Sequence, residues 1–335
     1  MFFRFPYIGF FFGLLICLVT ACHPQTSVSS LPVIWDTDIG PDFDDAGALA
    51  MLHRLADKGQ IHLLATISCN GYANSPQVLH VFNSWYGRPH LPVGRADTAY
   101  APVVPDGCHW TDSVLANAAF RKQQSSADTS QDAIRLYRKL LAAAADHSVV
   151  IISTGFFSNL AALLQSPPDQ LAPDPGLQLV RRKVKYLVSM AGYFPEGREF
   201  NVYNDTRAAA YVADHWPTPI IFSGFEIGDS VFTGLPLLQP HLPESPLRQT
   251  FRVGLHCWHE VETGHPSWDE TAVLAVLAAL DTTHQLFALE PGRIIIHPDG
   301  SNTWEHRSDG RQYYLIPKTS RSELARLING YLLGK

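Results

Sequence analysis

The sequence predicts an α/β fold: an open, mostly parallel sheet with helices on both faces, closed by a C-terminal β-hairpin and helix. Two observations point there. Short apolar runs alternate with stretches whose apolar residues recur at helical spacing, the rhythm of strand–helix–strand units. The polar residues that end those runs, at Asp36–Asp38, Ser153-Thr154-Gly155 and Ser189-Met190-Ala191, would then line up along one sheet edge, where open α/β sheets bind ligands.

The elements follow in chain order. Val33–Trp35 reads as a short buried strand, Gly40-Pro41 as a turn, and Ala46–Lys58 as a helix. Strand Leu63–Ser68 and helix Pro76–Tyr86 come next, then helix Ala133–Ala145, strand Val149–Ser153 and helix Ser158–Gln165. Pro167–Pro175 reads as a proline-rich loop, followed by strand Val184–Ser189, helix Thr206–Asp214 and strand Ile220–Ser223. Asp269–Leu280 is a long apolar helix with an acidic start. Arg293–Pro298 and Gln312–Pro317 flank a Gly-, Asn- and Asp-rich turn, giving a hairpin with Trp304 in its insert, and Ser320–Leu333 is an amphipathic helix. No linker or repeat divides residues 31–335, which read as one domain.

The N-terminus stands apart. Met1–Ala21 has one positive residue, Arg4, and an almost unbroken apolar run from Phe10 to Val19, ending in Thr20-Ala21-Cys22. This resembles a bacterial lipoprotein signal, with cleavage before Cys22 and the lipid on its thiol; the run is short for a membrane span. Residues 22–30 read as a tether. No Asp follows Cys22, so the resemblance implies a periplasm-facing lipid anchor in the outer membrane.

Net charge is −6 and dispersed, with no basic stripe, which argues against a nucleic-acid polymer as partner. Beyond Cys17 and Cys22, the cysteines are Cys69, Cys108 and Cys257. They show no CxxC spacing and leave an odd thiol, so neither a zinc site nor a disulfide framework is implied. Buried free thiols are the default expectation, with one oxidised pair left open.

The densest chemistry is Asp36, Asp38, Asp42, Asp44 and Asp45, five aspartates within ten residues at the end of the first strand. A solvated, helix-capping turn accounts for one or two of them. Five like charges repel and raise one another's pKa values, and a hard cation, Ca²⁺ or Mg²⁺, relieves that. Asp42 is expected to face solvent, and Asp36 to stabilise the loop as a hydrogen-bond acceptor.

The run Asp36-Thr37-Asp38-Ile39-Gly40-Pro41-Asp42-Phe43-Asp44-Asp45-Ala46 resembles the opening signature of the nucleoside hydrolases, the inosine-uridine preferring type and its relatives. The shorter form of that signature is Asp-Thr-Asp-Pro-Gly-x-Asp-Asp-Ala, and this chain is similar to the longer branch. The resemblance extends through Ser68-Cys69-Asn70, Ser153–Ala161, Met190-Ala191-Gly192, Glu199-Phe200-Asn201, Asp205–Ala209 and Ser267-Trp268-Asp269. It implies a Rossmann-like sheet and Ca²⁺ held by Asp38, Asp45, Asp269 and the Thr154 carbonyl. It also implies that Asp38 takes a proton from water as general base, and that Asp44 and Asn201 bind the ribose secondary hydroxyls. Glu199 would bind the 5′-hydroxyl, Asn70 would add a further ribose contact and Met190 would pack beneath the sugar. The reaction implied is hydrolysis of a ribonucleoside to ribose and base, in nucleoside salvage, by a homo-oligomer.

Two features depart from the family pattern. The residue before the last metal-binding aspartate is Trp268 where the shorter form has a histidine thought to protonate the leaving base. Tryptophan can stack on a base but cannot act as the acid. The segment from Met190 to Glu199 is also short, with no Asn ahead of Glu199; Tyr193 or Arg198 would stand in. Among His256, His259 and His265, one could replace the acid, against a surface or packed polar role. The rival readings are a hydrolase of another N-ribosyl compound and a calcium-dependent ribose- or nucleoside-binding lipoprotein without turnover.

Overall fold

Leu31–Thr37 is apolar on both sides of its pleat, so it can lie only where both faces are covered. Val33 and Trp35 pack into one core and Ile34 into the other. The computed structural model describes residues 1–3, 30–120, 129–280 and 286–335. The Met1–Ala21 leader beyond residue 3, Cys22 and the tether up to residue 29 lie outside the described residues. Among the described residues, no helix is long and apolar enough to cross a membrane.

In chain order the strands are β1 (Leu31–Thr37), β2 (Ile61–Ser68), β3 (Val93–Arg95), β4 (Gln131–Asp132), β5 (Val149–Thr154), β6 (Val184–Met190) and β7 (Glu196–Arg198). They continue with β8 (Ile220–Ser223), β9 (Phe232–Thr233), β10 (His265–Pro266), β11 (Phe287–Ile296), β12 (Ser301–His306) and β13 (Gln312–Pro317). One sheet runs β4-β3-β2-β1-β5-β6-β8-β13-β11-β12-β7, and β9 pairs with β10 in a small second sheet. Pairing is parallel from β4 through β13 and antiparallel from there to β7. The chain builds outward from β1 to β4, then returns to place β5 on the other side of β1. That reversal is the switch point at which α/β sheets open a crevice beyond their strand ends.

Two cores sandwich the sheet. On one face Leu49 and Leu52 of helix Asp44–Asp57 join Phe82, Phe251, Leu274 and Ile328 from four other helices. On the other, Tyr137, Leu160, Leu179 and Val212 come from helices Ala133–Ala143, Ser158–Gln165, Gly176–Lys183 and Thr206–His215.

The expected strands and helices are present, with ends shifted by up to two residues except at β11, which starts six residues ahead of the expected Arg293. The C-terminal unit differs from the expected hairpin. β11 and β13 do pair antiparallel, but the segment between them is not a simple insert. Residues Ser301–His306 form β12 on the free edge of β11, and Trp304 is a strand residue level with Ile294.

Candidate active site

Thr37 at the end of β1 lies level with Thr154 at the end of β5. The loops leaving the two strands therefore meet at the switch point. Gly155 permits the approach: a Cβ there would fall 2.5 Å from the Asp38 backbone nitrogen. The loop after Asp38 turns at Gly40, whose φ of 145° suits glycine. Ser75 Oγ donates to the Ile39 carbonyl at 2.6 Å, and Trp110 Nε1 donates to the carbonyls of Gly40 and Asp42 at 3.0 and 2.9 Å. Helix Asp44–Asp57 then starts with two aspartates in its first turn, where the helix dipole favours negative charge.

Asp44, Asp45 and Asp269 each bring a carboxylate oxygen to within 4.8 Å of the other two. The Asp269 N–H donates to Asp44 Oδ2 at 2.9 Å, locking the start of helix Trp268–Leu280 onto the aspartate loop. The Thr37 hydroxyl donates to Asp45 Oδ1 and accepts the Ile39 N–H at 3.0 Å. Asp45 Oδ2 and Asp269 Oδ2 are buried with no hydrogen-bond partner.

Burial is the main reason these carboxyls resist ionisation, and their neighbours add to it. Asp45 is pushed up to about 8, by burial and then by the charge of Asp42. Asp44 rises well above the carboxylate range through burial and the charges of Asp42 and Glu270; Asp269 does so through burial, Asp44 and Asp45. Buried, mutually repelling carboxylates with orphaned oxygens form a donor set that fits a hard divalent cation.

Asp45 and Asp269, two of the expected ligands, both belong to this trio. Asp38 is buried beside them, its carboxyl raised well above the ordinary value by burial and by Asp45, Asp42 and Glu199. It lies outside the tight trio, in which Asp44 stands instead. Thr154 is buried, with its hydroxyl accepting from Trp35 Nε1 at 3.1 Å. Asp36 is hydrogen-bonded to Tyr137 and Asn159 at 2.8 and 3.1 Å, which ties β1 to two helices of the opposite layer.

The ribose candidates gather alongside. Asn201 Nδ2 donates to the carbonyl oxygen and the sulfur of Met190 at 3.1 and 3.4 Å. Glu199 caps the short helix Phe200–Asn204, accepting from the backbone of Asn201, Val202 and Gly192. Burial nevertheless pushes it up to about 7. Asn70 is committed to backbone: its amide nitrogen donates to Asp38 and Val104 carbonyls, and its oxygen accepts from Tyr72 and Val104. It clamps the Asp38 loop. Trp268 is half-buried and stacked on Phe225 with centroids 5.3 Å apart, and exposed Tyr193 meets Phe225 edge-on.

Two expectations are corrected. Asp42 does not face solvent; it is half-buried, and its carboxylate groups with those of Asp44 and with His265. The turn at Gly40 and the Trp110 bonds roll it inward. Cys108 and Cys257 are not free thiols but a disulfide, joining the loop before Trp110 to the end of helix Pro246–Cys257. Cys69 remains a buried free thiol. The three histidines separate. His256 and His259 are exposed, whereas His265 is fully buried against the cluster because β10 pairs with β9 beside it.

Thr37, Ser75, Trp110 and Glu270 were not singled out by the sequence. Glu270 is buried with both carboxylate oxygens unpartnered, lying where a Cβ on Gly47 would collide with it. Only its place beside Asp269 hinted at a role.

The family model for inosine-uridine preferring nucleoside hydrolases matches residues 33–313. A search of curated protein sequences finds no match. Among solved structures, the plant nucleoside hydrolase PpNRh1 superposes with a TM-score of 0.70 at 18% identity, over 91% of this chain and 99% of that one. The inosine-uridine preferring nucleoside hydrolase from Bacillus anthracis gives 0.67 at 15% identity, over 91% and 100%. The type III effector protein XopQ, solved with adenosine diphosphate ribose, gives 0.66 at 17% identity, over 91% and 94%.

Proposed function

The chain belongs to the inosine-uridine preferring nucleoside hydrolase family, and from that premise we propose a calcium-dependent hydrolase that splits ribonucleosides into ribose and free base. Membership makes it a glycosidic-bond hydrolase acting on a small ribosyl compound. The finer reading is carried by one observation: Asp44, Asp45 and Asp269 converge beside Asp38 with buried, orphaned oxygens at the switch point of the sheet.

Asp45, Asp269, Asp38 and the Thr154 carbonyl would hold the calcium, with Asp44 close enough to share it. A divalent ion bound there would supply the positive charge that makes a nearby water more acidic. Asp38 accepts the proton of the attacking water. Asp44 and Asn201 bond the secondary hydroxyls, Glu199 the 5′-hydroxyl, and Met190 packs beneath the sugar, with Asn70 holding the Asp38 loop in place. As the bond to the base breaks, positive charge develops on the ribose ring, and the surrounding carboxylates stabilise it. Trp268, backed by Phe225, would stack on the departing base, which leaves with the bonding electrons and takes its proton from water.

The leader pattern supports an enzyme anchored through lipidated Cys22, periplasm-facing and in the outer membrane, and family membership supports a homo-oligomer working in nucleoside salvage. Asp38→Asn tests the assignment of the base. The variant should hold calcium more weakly, and at saturating calcium it should still bind nucleoside while kcat falls by about 100-fold or more; undiminished turnover would remove Asp38 from that role.

A further inference from the structure

The Trp268 side of the cluster contains a donor set of which the calcium reading uses only Asp44. Asp42, Asp44 and His265 each bring one ligand atom to within 4.8 Å of the others. They come from the aspartate loop, the first residue of helix Asp44–Asp57, and β10. The His265 imidazole has no exposed surface and lies flat on Phe43, with ring centroids 3.8 Å apart. Trp258 and Trp268 meet it edge-on at 5.1 and 5.7 Å. Its Nδ1 is 2.6 Å from Glu260 Oε2, and its Nε2 is buried with no hydrogen-bond partner. Leaving a buried ring nitrogen unpartnered is costly. A carboxylate that accepts Nδ1–H leaves the lone pair on Nε2, which is how proteins orient metal-binding imidazoles.

We propose that Asp42, Asp44 and His265 form a second cation site, beside the Asp44–Asp45–Asp269 set, that takes a divalent transition-metal ion of the zinc type. Donor chemistry separates the two sites. The Asp44–Asp45–Asp269 trio offers oxygen alone, which suits calcium, whereas an imidazole nitrogen favours a softer ion. Ligands about 2.1 Å from a tetrahedral zinc lie about 3.4 Å from one another, so donors within 4.8 Å of each other would have to close by up to about 1.4 Å as the ion binds. Asp44 has two carboxylate oxygens and can serve both ions. Glu260 is the positioning residue: it touches no ion and fixes the ring. The site does not depend on nucleoside turnover. Its rival occupant is a proton, with a charged imidazole bridging Glu260 to Asp42 and Asp44.

The test uses the whole purified protein, stripped by chelator, held in excess Ca²⁺ and titrated with Zn²⁺. Bound zinc and calcium are counted by elemental analysis after gel filtration. We expect one tightly held zinc per chain. His265→Gln should weaken it by about 100-fold and Glu260→Gln by about 10-fold, with calcium content unchanged in both. Cobalt in place of zinc should give a visible absorption band that is absent in His265→Gln. Thermal melts establish that the variants fold, and Glu260→Gln keeps the donor set intact should the His265 variant collapse. Zinc bound equally by the wild type and the folded variants, or not held by the wild type at all, would overturn the site. Zinc held at His265 by a protein that retains no calcium would support this site while counting against the calcium reading.

Discussion

Stripped of cations, the protein should lose stability as pH rises, and calcium should reverse that loss. Burial, reinforced by the charge of Asp42, pushes Asp45 from 3.8 up to about 8. Without a cation this carboxyl stays protonated in the folded chain at neutral pH and ionises in the unfolded one. Between about pH 4 and pH 8 the folded state therefore holds the extra proton, and its stability falls through that window as pH rises. Four pH units at about 1.4 kcal/mol each set a ceiling of roughly 6 kcal/mol for this one group. Water entering the cluster reduces the loss to about 2–3 kcal/mol. For a chain of this size that is a fall in Tm of roughly 5 °C. Asp36 and Glu199, both pushed up to about 7 chiefly by burial, add to the slope in EDTA. The assay is scanning calorimetry at pH 5 and pH 8, in EDTA and in saturating Ca²⁺. Because calcium binds ionised carboxylates, its stabilising increment should be larger at pH 8. A Tm in EDTA that rises from pH 5 to pH 8, or a calcium increment indifferent to pH, would refute the buried-carboxylate account.

Further outcomes follow from the rest of the site. Trp268→Ala should raise KM for purine ribonucleosides by about 10- to 100-fold through lost stacking, while inhibition by free ribose holds; an unchanged KM would place the base elsewhere. The Cys108–Cys257 bridge spans 149 residues and flanks the aspartate loop. Cys108→Ser should therefore cost about 2–4 kcal/mol of stability, read by urea unfolding. A variant as stable as the wild type would show that packing alone holds those two segments.

The sequence made the centre of the sheet legible because its strands are apolar runs with polar ends. β1, β5 and β6 could be read directly, and the aspartates at the end of β1 announced the site. Other features depended on partners far along the chain. β12 is legible only once β11 offers it an edge, since Ser301–His306 alternates weakly and ends in the titratable pair Glu305-His306. Cys108 and Cys257 sit in no spacing motif, and only the packing of helix Pro246–Cys257 against helix Trp110–Ala116 brings them together. His265 could not be told from His256 and His259 by sequence because its burial comes from the β9–β10 pair, two residues long on each side. Asp42 was misread for the same kind of reason: its direction is set by Trp110, 68 positions away. Thr37 looked like a spacer between aspartates, yet its hydroxyl aligns Asp45.

The most direct test of calcium-dependent N-ribosyl hydrolysis is free-ribose release from a panel of ribonucleosides, with Ca²⁺ and again with EDTA. Chelator-sensitive release of ribose, restored by added calcium, is the expected result, and the panel then names the base. No release from any ribonucleoside, with calcium-dependent binding of ribose or nucleoside intact, would contradict the account and leave a binding protein.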